Sequence, residues 1–241
     1  MSATRAVGWR NVKIMEIVKK TKDWLVINKP VGVPSQHDPS GDKDAMSLCA
    51  MELKELGEDD SLWLVHRLDR VVGGVMVFAR TKYCAQQLSS NLGDDSFSKE
   101  YLAVVEGEAE GGELFDYIFR DSRVGKAFVS DRLRQGFKEA RLTYRPLASA
   151  TVGQRRVSLV SIRLHTGRFH QIRAQFSSRK MPLLGDGKYG SRDKGCRHPA
   201  LFACKLSFEL GGKSYSVSAL PQLDAYPWNL FRKEVYGNGE N

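Results

Sequence analysis

His66-Arg67-Leu68-Asp69, the pair Gly73-Gly74 and the run Val75-Met76-Val77-Phe78-Ala79 form the stretch on which the reading of the fold turns. The run is apolar on both alternating faces, the pattern of a strand covered on both sides at the centre of a sheet. The glycine pair leads the chain into it, so Asp69 lies just ahead of a buried strand. If the backbone is extended from Arg67 to Asp69, side chains two apart share one face and set a cation beside a carboxylate. Two readings compete for Asp69: a reactive acid presented at the mouth of a strand, or half of an exposed ion pair, which contributes little.

Upstream, residues 12–18 and 24–28 read as short strands rich in Val and Ile, joined by Lys20-Thr21-Lys22-Asp23 and closed by Pro30, Gly32 and Pro34. A polar connection over 36–43 precedes a helix from Ala45 to Leu56, with Met46, Cys49, Leu53 and Leu56 on one side. Downstream, Thr81 is placed to cap a helix from about Lys82 to Leu92. Tyr101 to Glu106, Leu114 to Arg120, Lys126 to Asp131, Arg141 to Leu147 and Val157 to Leu164 have strand composition with glycine-rich or charged joints, which predicts an antiparallel meander. Thr166 is placed to cap a helix that buries Phe169, Ile172 and Phe176 and carries Arg173 at its edge. Phe202, Cys204, Leu206, Phe208 and Leu210 alternate with more polar residues, describing a strand with one wet face, and Gly211-Gly212 turns it into Tyr215 to Ala219. The sum is an α+β domain with a mixed, mostly antiparallel sheet and a few covering helices. Its expected limits are an N-terminal extension over 1–11, one domain over 12–236 and a flexible tail over 237–241.

Composition supports a folded chain: 241 residues, of which 41% are hydrophobic and 10% aromatic, can bury a substantial core. Lys and Arg number 37 against 28 Asp and Glu, a formal charge of +9 that favours polyanionic partners. Arg120, Arg123, Lys126, Arg132, Arg134, Lys138 and Arg141 crowd one interval, offset only by Asp121, Asp131 and Glu139. That interval reads either as a phosphate-tracking flank or as a solvated hairpin. The 4 cysteines form no C-x-x-C pair, and Cys196, His198 and Cys204 are irregularly spaced without a fourth partner, so reduced thiols and no metal site are expected. No secretory pattern and no apolar run of membrane-spanning length is present, so a cytoplasmic protein is expected, with an organelle as the alternative. Neither a phosphate loop nor a strand-linked G-x-G-x-x-G occurs, so no nucleotide cofactor is expected.

Three further blocks stand in order around the opening one. They are Asn28-Lys29-Pro30-Val31-Gly32-Val33, Lys99-Glu100-Tyr101-Leu102-Ala103-Val104-Val105-Glu106-Gly107, and Leu164-His165-Thr166-Gly167-Arg168-Phe169-His170-Gln171-Ile172-Arg173 with Pro182 to Asp186 and Tyr189-Gly190. Together the blocks resemble the NKPxGxxV, HRLDxxTSG, KxYxAxVxG, LxTGRxHQIR and PIxGDxxYG elements of the RluA class of pseudouridine synthases, in the RsuA/RluA family. Val72 and Gly73 stand where that family usually has Thr and Ser, and Gln175 where a histidine often follows HQIR. The resemblance implies a pseudouridine-synthase catalytic fold, a bent mixed sheet with the active cleft across its middle. The residues ahead of Asn28 are too few for the S4-like domain many relatives carry there, so a stand-alone catalytic domain is expected.

The implied reaction breaks C1′–N1 of a uridine, turns the uracil and joins C5 to C1′, so no redox carrier or other cofactor is required. The resemblance assigns Asp69 as the catalytic acid, either a nucleophile or a charge that stabilises an electron-poor sugar carbon; the residues do not choose between these. It places Arg173 beside Asp69 to keep it ionised. Tyr101 is expected to stack on the uracil and assist proton handling. Arg67 is expected to fill the space left by a flipped nucleotide, with Leu164, His66 and Arg168 also on the substrate side. For His66 a structural role competes with this, and for Leu164 and Tyr101 an ordinary core position does. Asp186 and Tyr189 are expected to shape a loop. The resemblance implies structured ribosomal or transfer RNA as the partner, and a monomer is expected. The competing functions are an RNA-binding or chaperone protein that has lost turnover, and a carboxylate N-glycoside hydrolase.

Overall fold

In the computed structural model, which describes residues 15–239, strand β4 (Gly73–Ala79) is buried along its whole length and the sheet is built outward from it. Strand β2 (Trp24–Lys29) pairs antiparallel with one edge of β4, and β1 (Glu16–Lys20) pairs antiparallel with β2. The short β3 (Trp63–Leu64) also lies against β4. The other edge takes β10 (Leu201–Leu210) in parallel, through Phe202 to Gly73 and Ala203 to Gly74. From β10 the sheet continues through β5 (Phe97–Glu106), β9 (Arg155–Leu164), β8 (Lys138–Val152), β6 (Gly112–Asp121) and β7 (Lys126–Ser130), with β11 (Lys213–Ser218) on β10. Every pairing in this 11-stranded sheet other than β4 with β10 is antiparallel. The expected mixed, mostly antiparallel α+β architecture is what the chain adopts.

The helices are α1 (Ala45–Glu55), α2 (Lys82–Ser90), α3 (Gln171–Ser178) and α4 (Arg232–Gly239). Asp44 caps α1 by accepting from Ser47 N, and Thr81 caps α2 by accepting from Cys84 N, as its position predicts. Cys49 and Leu53 bury one side of α1, whereas Leu56 is 59% exposed because it is the C-cap, past the last packed turn. The expected start of α3 is corrected. His170, in the left-handed region at φ 52°, is the residue before the first turn, and Thr166 does not cap it. The Thr166 hydroxyl instead accepts from Arg141 N of β8 at 2.8 Å and donates to the Gln171 side chain at 2.8 Å. Phe169 therefore lies outside the helix, while Ile172 and Phe176 are buried as expected. Arg173 is buried rather than at the edge.

The single wet face expected for β10 is also corrected. A bulge between Ala203 and Lys205 shifts the alternation, so Phe202 and Cys204 pack with Trp228, Phe231 and Val235 on one side of the sheet. Leu206 and Phe208 join the main core on the other. The strand expected at 12–18 begins at Glu16, residues 12–14 and the expected 1–11 extension falling outside the described residues. The expected tail from Gly237 overlaps the end of α4. No helix among the described residues is long and apolar enough to cross a membrane.

Candidate active site

Residues 65–69 follow β3 without regular structure and lead into a turn at Arg70, and the alternation foreseen for the opening stretch is visible in the burial: His66 and Leu68 are buried at the lining of a cleft of about 1110 Å³, to which Arg67 and Asp69 are more open. The loop is pinned from behind. The Ser35 hydroxyl donates to Leu68 O at 2.8 Å and accepts from Leu68 N at 3.0 Å. Lys29 Nζ, fully buried, donates to Val33 O at 2.7 Å, Pro30 O at 3.0 Å and Arg70 O at 3.5 Å. Gly32 N reaches Arg70 O at 2.8 Å, and Val72 N closes a turn on Asp69 O at 2.9 Å. The Lys29 to Val33 segment thus buttresses the turn that presents Asp69. Val72 and Gly73 belong to this packing: Val72 is buried, and a Cβ on Gly73 would stand 3.2 Å from both Lys29 O and Val31 Cγ2.

Asp69 Oδ2 accepts from Arg173 Nη1 at 3.3 Å and lies 3.6 Å from His170 Nε2. Arg173 in turn donates from Nε and Nη2 to Asp186 Oδ2 and Oδ1 at 2.7 and 2.9 Å, a forked pair that holds the guanidinium rigidly. Asp186 is therefore the anchor of Arg173, a role its place in a loop block did not reveal. Burial alone would lower the pKa of Arg173, but the hydrogen bond and charge of Asp186, joined by Asp69, raise it. Burial pushes the Asp69 carboxyl above the ordinary carboxylate range, against the charge and hydrogen bond of Arg173; Asp186 adds to the rise and Lys29 opposes it. Because 24% of the Asp69 side chain is open to the cleft, water moderates that rise.

Tyr101 comes from β5 and lines the same cleft while almost wholly buried. Burial, then the Asp69 charge, raises its phenol, so it enters any chemistry as a neutral hydroxyl. Leu164, at the end of β9, is a half-buried wall of the cleft, and Arg168 lines it with Nε donating to Glu139 O at 2.6 Å. His66 points inward: Nε2 accepts from Val77 N at 3.2 Å, the ring meets Phe97 edge-on, and burial followed by the Lys99 charge lowers its pKa to about 3. The structure thus brings Asp69, Tyr101, Arg173, Arg67, Leu164 and Arg168 to one cleft, with His66 at its lining but tied by its ring to the β4 backbone. Lys29, Ser35 and His170 escaped the reading of the sequence, although Lys29 and His170 stand inside the quoted blocks.

An RNA pseudouridylate synthase family profile matches residues 23–178. The chain belongs to this RNA pseudouridylate synthase family. It is 31% identical, over 80% of this chain, to an uncharacterized RNA pseudouridine synthase of Bacillus subtilis. It is 33% identical, over 78% of its length, to ribosomal large subunit pseudouridine synthase D of Zymomonas mobilis. It spans 63% and 59% of the length of those two relatives. With tRNA pseudouridine synthase C of Haemophilus ducreyi it shares 30% identity over 80% of this chain and 85% of that one. The solved structure of human RNA pseudouridylate synthase domain containing 4 superposes with a TM-score of 0.70 at 24% identity, covering 86% of this chain and 89% of that one. Human RNA pseudouridylate synthase domain containing 1 superposes with a TM-score of 0.72 at 23% identity, covering 88% and 85%. These two likenesses establish that the sheet and helices described above are the pseudouridylate synthase fold.

Proposed function

We propose that this chain is an RNA pseudouridine synthase that isomerises uridines of ribosomal or transfer RNA, with Asp69 as its catalytic acid. The observation that carries the reading is the Asp69 carboxylate, open to a cleft and held at 3.3 Å by a guanidinium that is itself clamped to Asp186. A uridine must leave its stack to bring C1′ to this carboxylate. Arg67, exposed beside Asp69, is suited to fill the vacancy, since a guanidinium plane both stacks and meets phosphates. Leu164 and Tyr101 form walls against which a uracil ring fits. With C1′–N1 broken, Asp69 serves as nucleophile or as a fixed negative charge beside an electron-poor carbon. Joining C5 to C1′ then releases the C5 proton while N1 gains one, and no atom is lost from the nucleotide. The cleft is polar enough for nucleic acid and carries Arg67, Arg120, Arg168 and Lys188 at its walls.

The test is conversion of uridine in ribosomal and transfer RNA by purified protein, with pseudouridines mapped in cells with and without it. Wild type should convert one or a few positions, and Asp69→Asn should lose turnover by at least about 10³-fold while still binding RNA. Binding without conversion by wild type would support the alternative, an RNA-binding protein that has lost catalysis. Release of free uracil would support an N-glycoside hydrolase.

A further inference from the structure

We propose that Tyr189 and His170 are positioning residues that aim Asp69, by holding the His170 ring in one tautomer and latching the β6–β7 hairpin to the site. The inference rests on the reading of Asp69 as the catalytic acid. It begins at a backbone amide, which can only donate: Ala127 N, in β7, gives its hydrogen to Tyr189 Oη at 2.8 Å. Tyr189 is 5% exposed, so its own hydroxyl proton needs an acceptor inside the protein. Among the described residues, that acceptor is His170 Nδ1 at 3.0 Å. Nδ1 is therefore bare, and the proton of the neutral ring sits on Nε2. The ring is neutral because burial, then the charges of Arg173, Lys188 and Arg120, lower its pKa to about 3.

Nε2–H faces Asp69 Oδ2 at 3.6 Å, the same oxygen that Arg173 holds at 3.3 Å. Both donors thus lie on one side of the carboxylate. Oδ1 makes no hydrogen bond among the described residues, which leaves it as the oxygen to present to C1′. The opposite tautomer would turn a lone pair toward Oδ2 and push the carboxylate away. The ring is also held mechanically. It stacks on Phe169 at 3.8 Å between centroids and meets Tyr189 edge-on at 5.6 Å. Its backbone is in the left-handed region at φ 52°, a conformation that non-glycine residues keep only where the surroundings impose it. Arg120, opposite Ala127 across the hairpin, lies 4.4 Å over the Phe169 ring and ties the same hairpin to the same stack. The basic hairpin and the orientation of Asp69 are therefore joined through one hydroxyl group.

Ring ¹⁵N spectra of the purified protein give a readout independent of turnover. His170 should show a protonated Nε2 and a bare Nδ1, and Tyr189→Phe, which keeps the ring and removes only the hydroxyl, should yield a tautomer mixture. In single-turnover conversion of RNA, Tyr189→Phe should lower kcat about tenfold with KM within twofold. His170→Asn, tolerated in the left-handed region, should cost as much, and the double variant should be no slower than His170→Asn alone. A protonated Nδ1 in wild type, an unchanged kcat in Tyr189→Phe, or losses that multiply in the double variant would each overturn the proposal. Absence of conversion by wild type would instead overturn the assigned activity, and the tautomer result would then stand by itself.

Discussion

Lys29 is the side chain whose surroundings depart furthest from what its type prefers. It is fully buried, and burial lowers its pKa to about 7, the Asp69 charge opposing and the Arg70 charge assisting. Its ammonium is kept by backbone carbonyls of the turn that carries Asp69. Lys29→Met should leave the Pro30 and Val33 carbonyls without their side-chain donor, Arg70 O keeping Gly32 N, and destabilise the protein by about 1–3 kcal/mol at neutral pH. The sign of its pH dependence follows from the lowered native value. Above about pH 7 the unfolded chain keeps a proton that the native chain has lost, so this group makes stability rise with pH. Urea unfolding of wild type between pH 7 and 8.5 should show that rise, and Lys29→Met should show a smaller one, the remainder coming from Lys99, His66 and His170, which burial also shifts down. Above pH 9 the buried thiols of Cys49 and Cys204, both pushed up to about 12, work the other way. At this scale the meeting of Asp69, Tyr101 and Arg173, the proposed catalytic trio, at one cleft was legible, because the quoted blocks carry all three. The supports were not: Lys29 is committed by a contact with Arg70 across 41 residues, and Asp186 by a forked geometry that no spacing along a chain conveys.

Elements whose periodicity is local were read well, as the capped α2 and the all-buried β4 show. The misreadings fall where one residue resets the phase: the bulge after Ala203 and the left-handed His170. Gly74 shows how tightly two elements meet at such a place. Its φ is +121°, and a Cβ there would stand 2.2 Å from Ala203 O in β10, a backbone atom that cannot step aside. Gly74→Ala should therefore cost more than about 3 kcal/mol in thermal unfolding. Gly153→Ala, in the turn between β8 and β9 at φ +61° with open space around it, should cost only about 1 kcal/mol. Equal losses would mean that the β4–β10 approach is looser than described. A second joint lies between α3 and β6: Gln175 Nε2 reaches Asp116 Oδ2 at 2.7 Å, and Arg179 grips both oxygens of the same carboxylate at 2.9 and 3.1 Å. The glutamine that stands in place of a histidine thus serves the joint between helix and sheet.

Across the molecule, the formal charge of +9 is not spent evenly. In the basic interval, Arg141 pairs with Glu113 and Arg120 lies over Phe169, whereas Arg123 and Arg132 leave 90% and 84% of their side chains in solvent. Replacing Arg123, Arg132 and Arg134 with Ala together should raise KM for RNA, leave kcat within twofold and flatten the salt dependence of binding by up to about 3 units of slope. RNA titrations between 50 and 200 mM salt measure this, and an unchanged slope would remove the hairpin from the RNA path. The parallel seam bears on how the molecule comes into being. Tyr101 on β5 reaches the Asp69 side of the sheet only through β10, so neither half of the site has a floor until Phe202 and Ala203 arrive. At a translation rate of roughly 5–20 residues per second, the nascent chain carries the bare apolar edge of β4 for on the order of ten seconds. A chain that stops short of residue 201 therefore keeps that apolar edge bare, and on expression it should behave as an aggregation hazard that depends on chaperones.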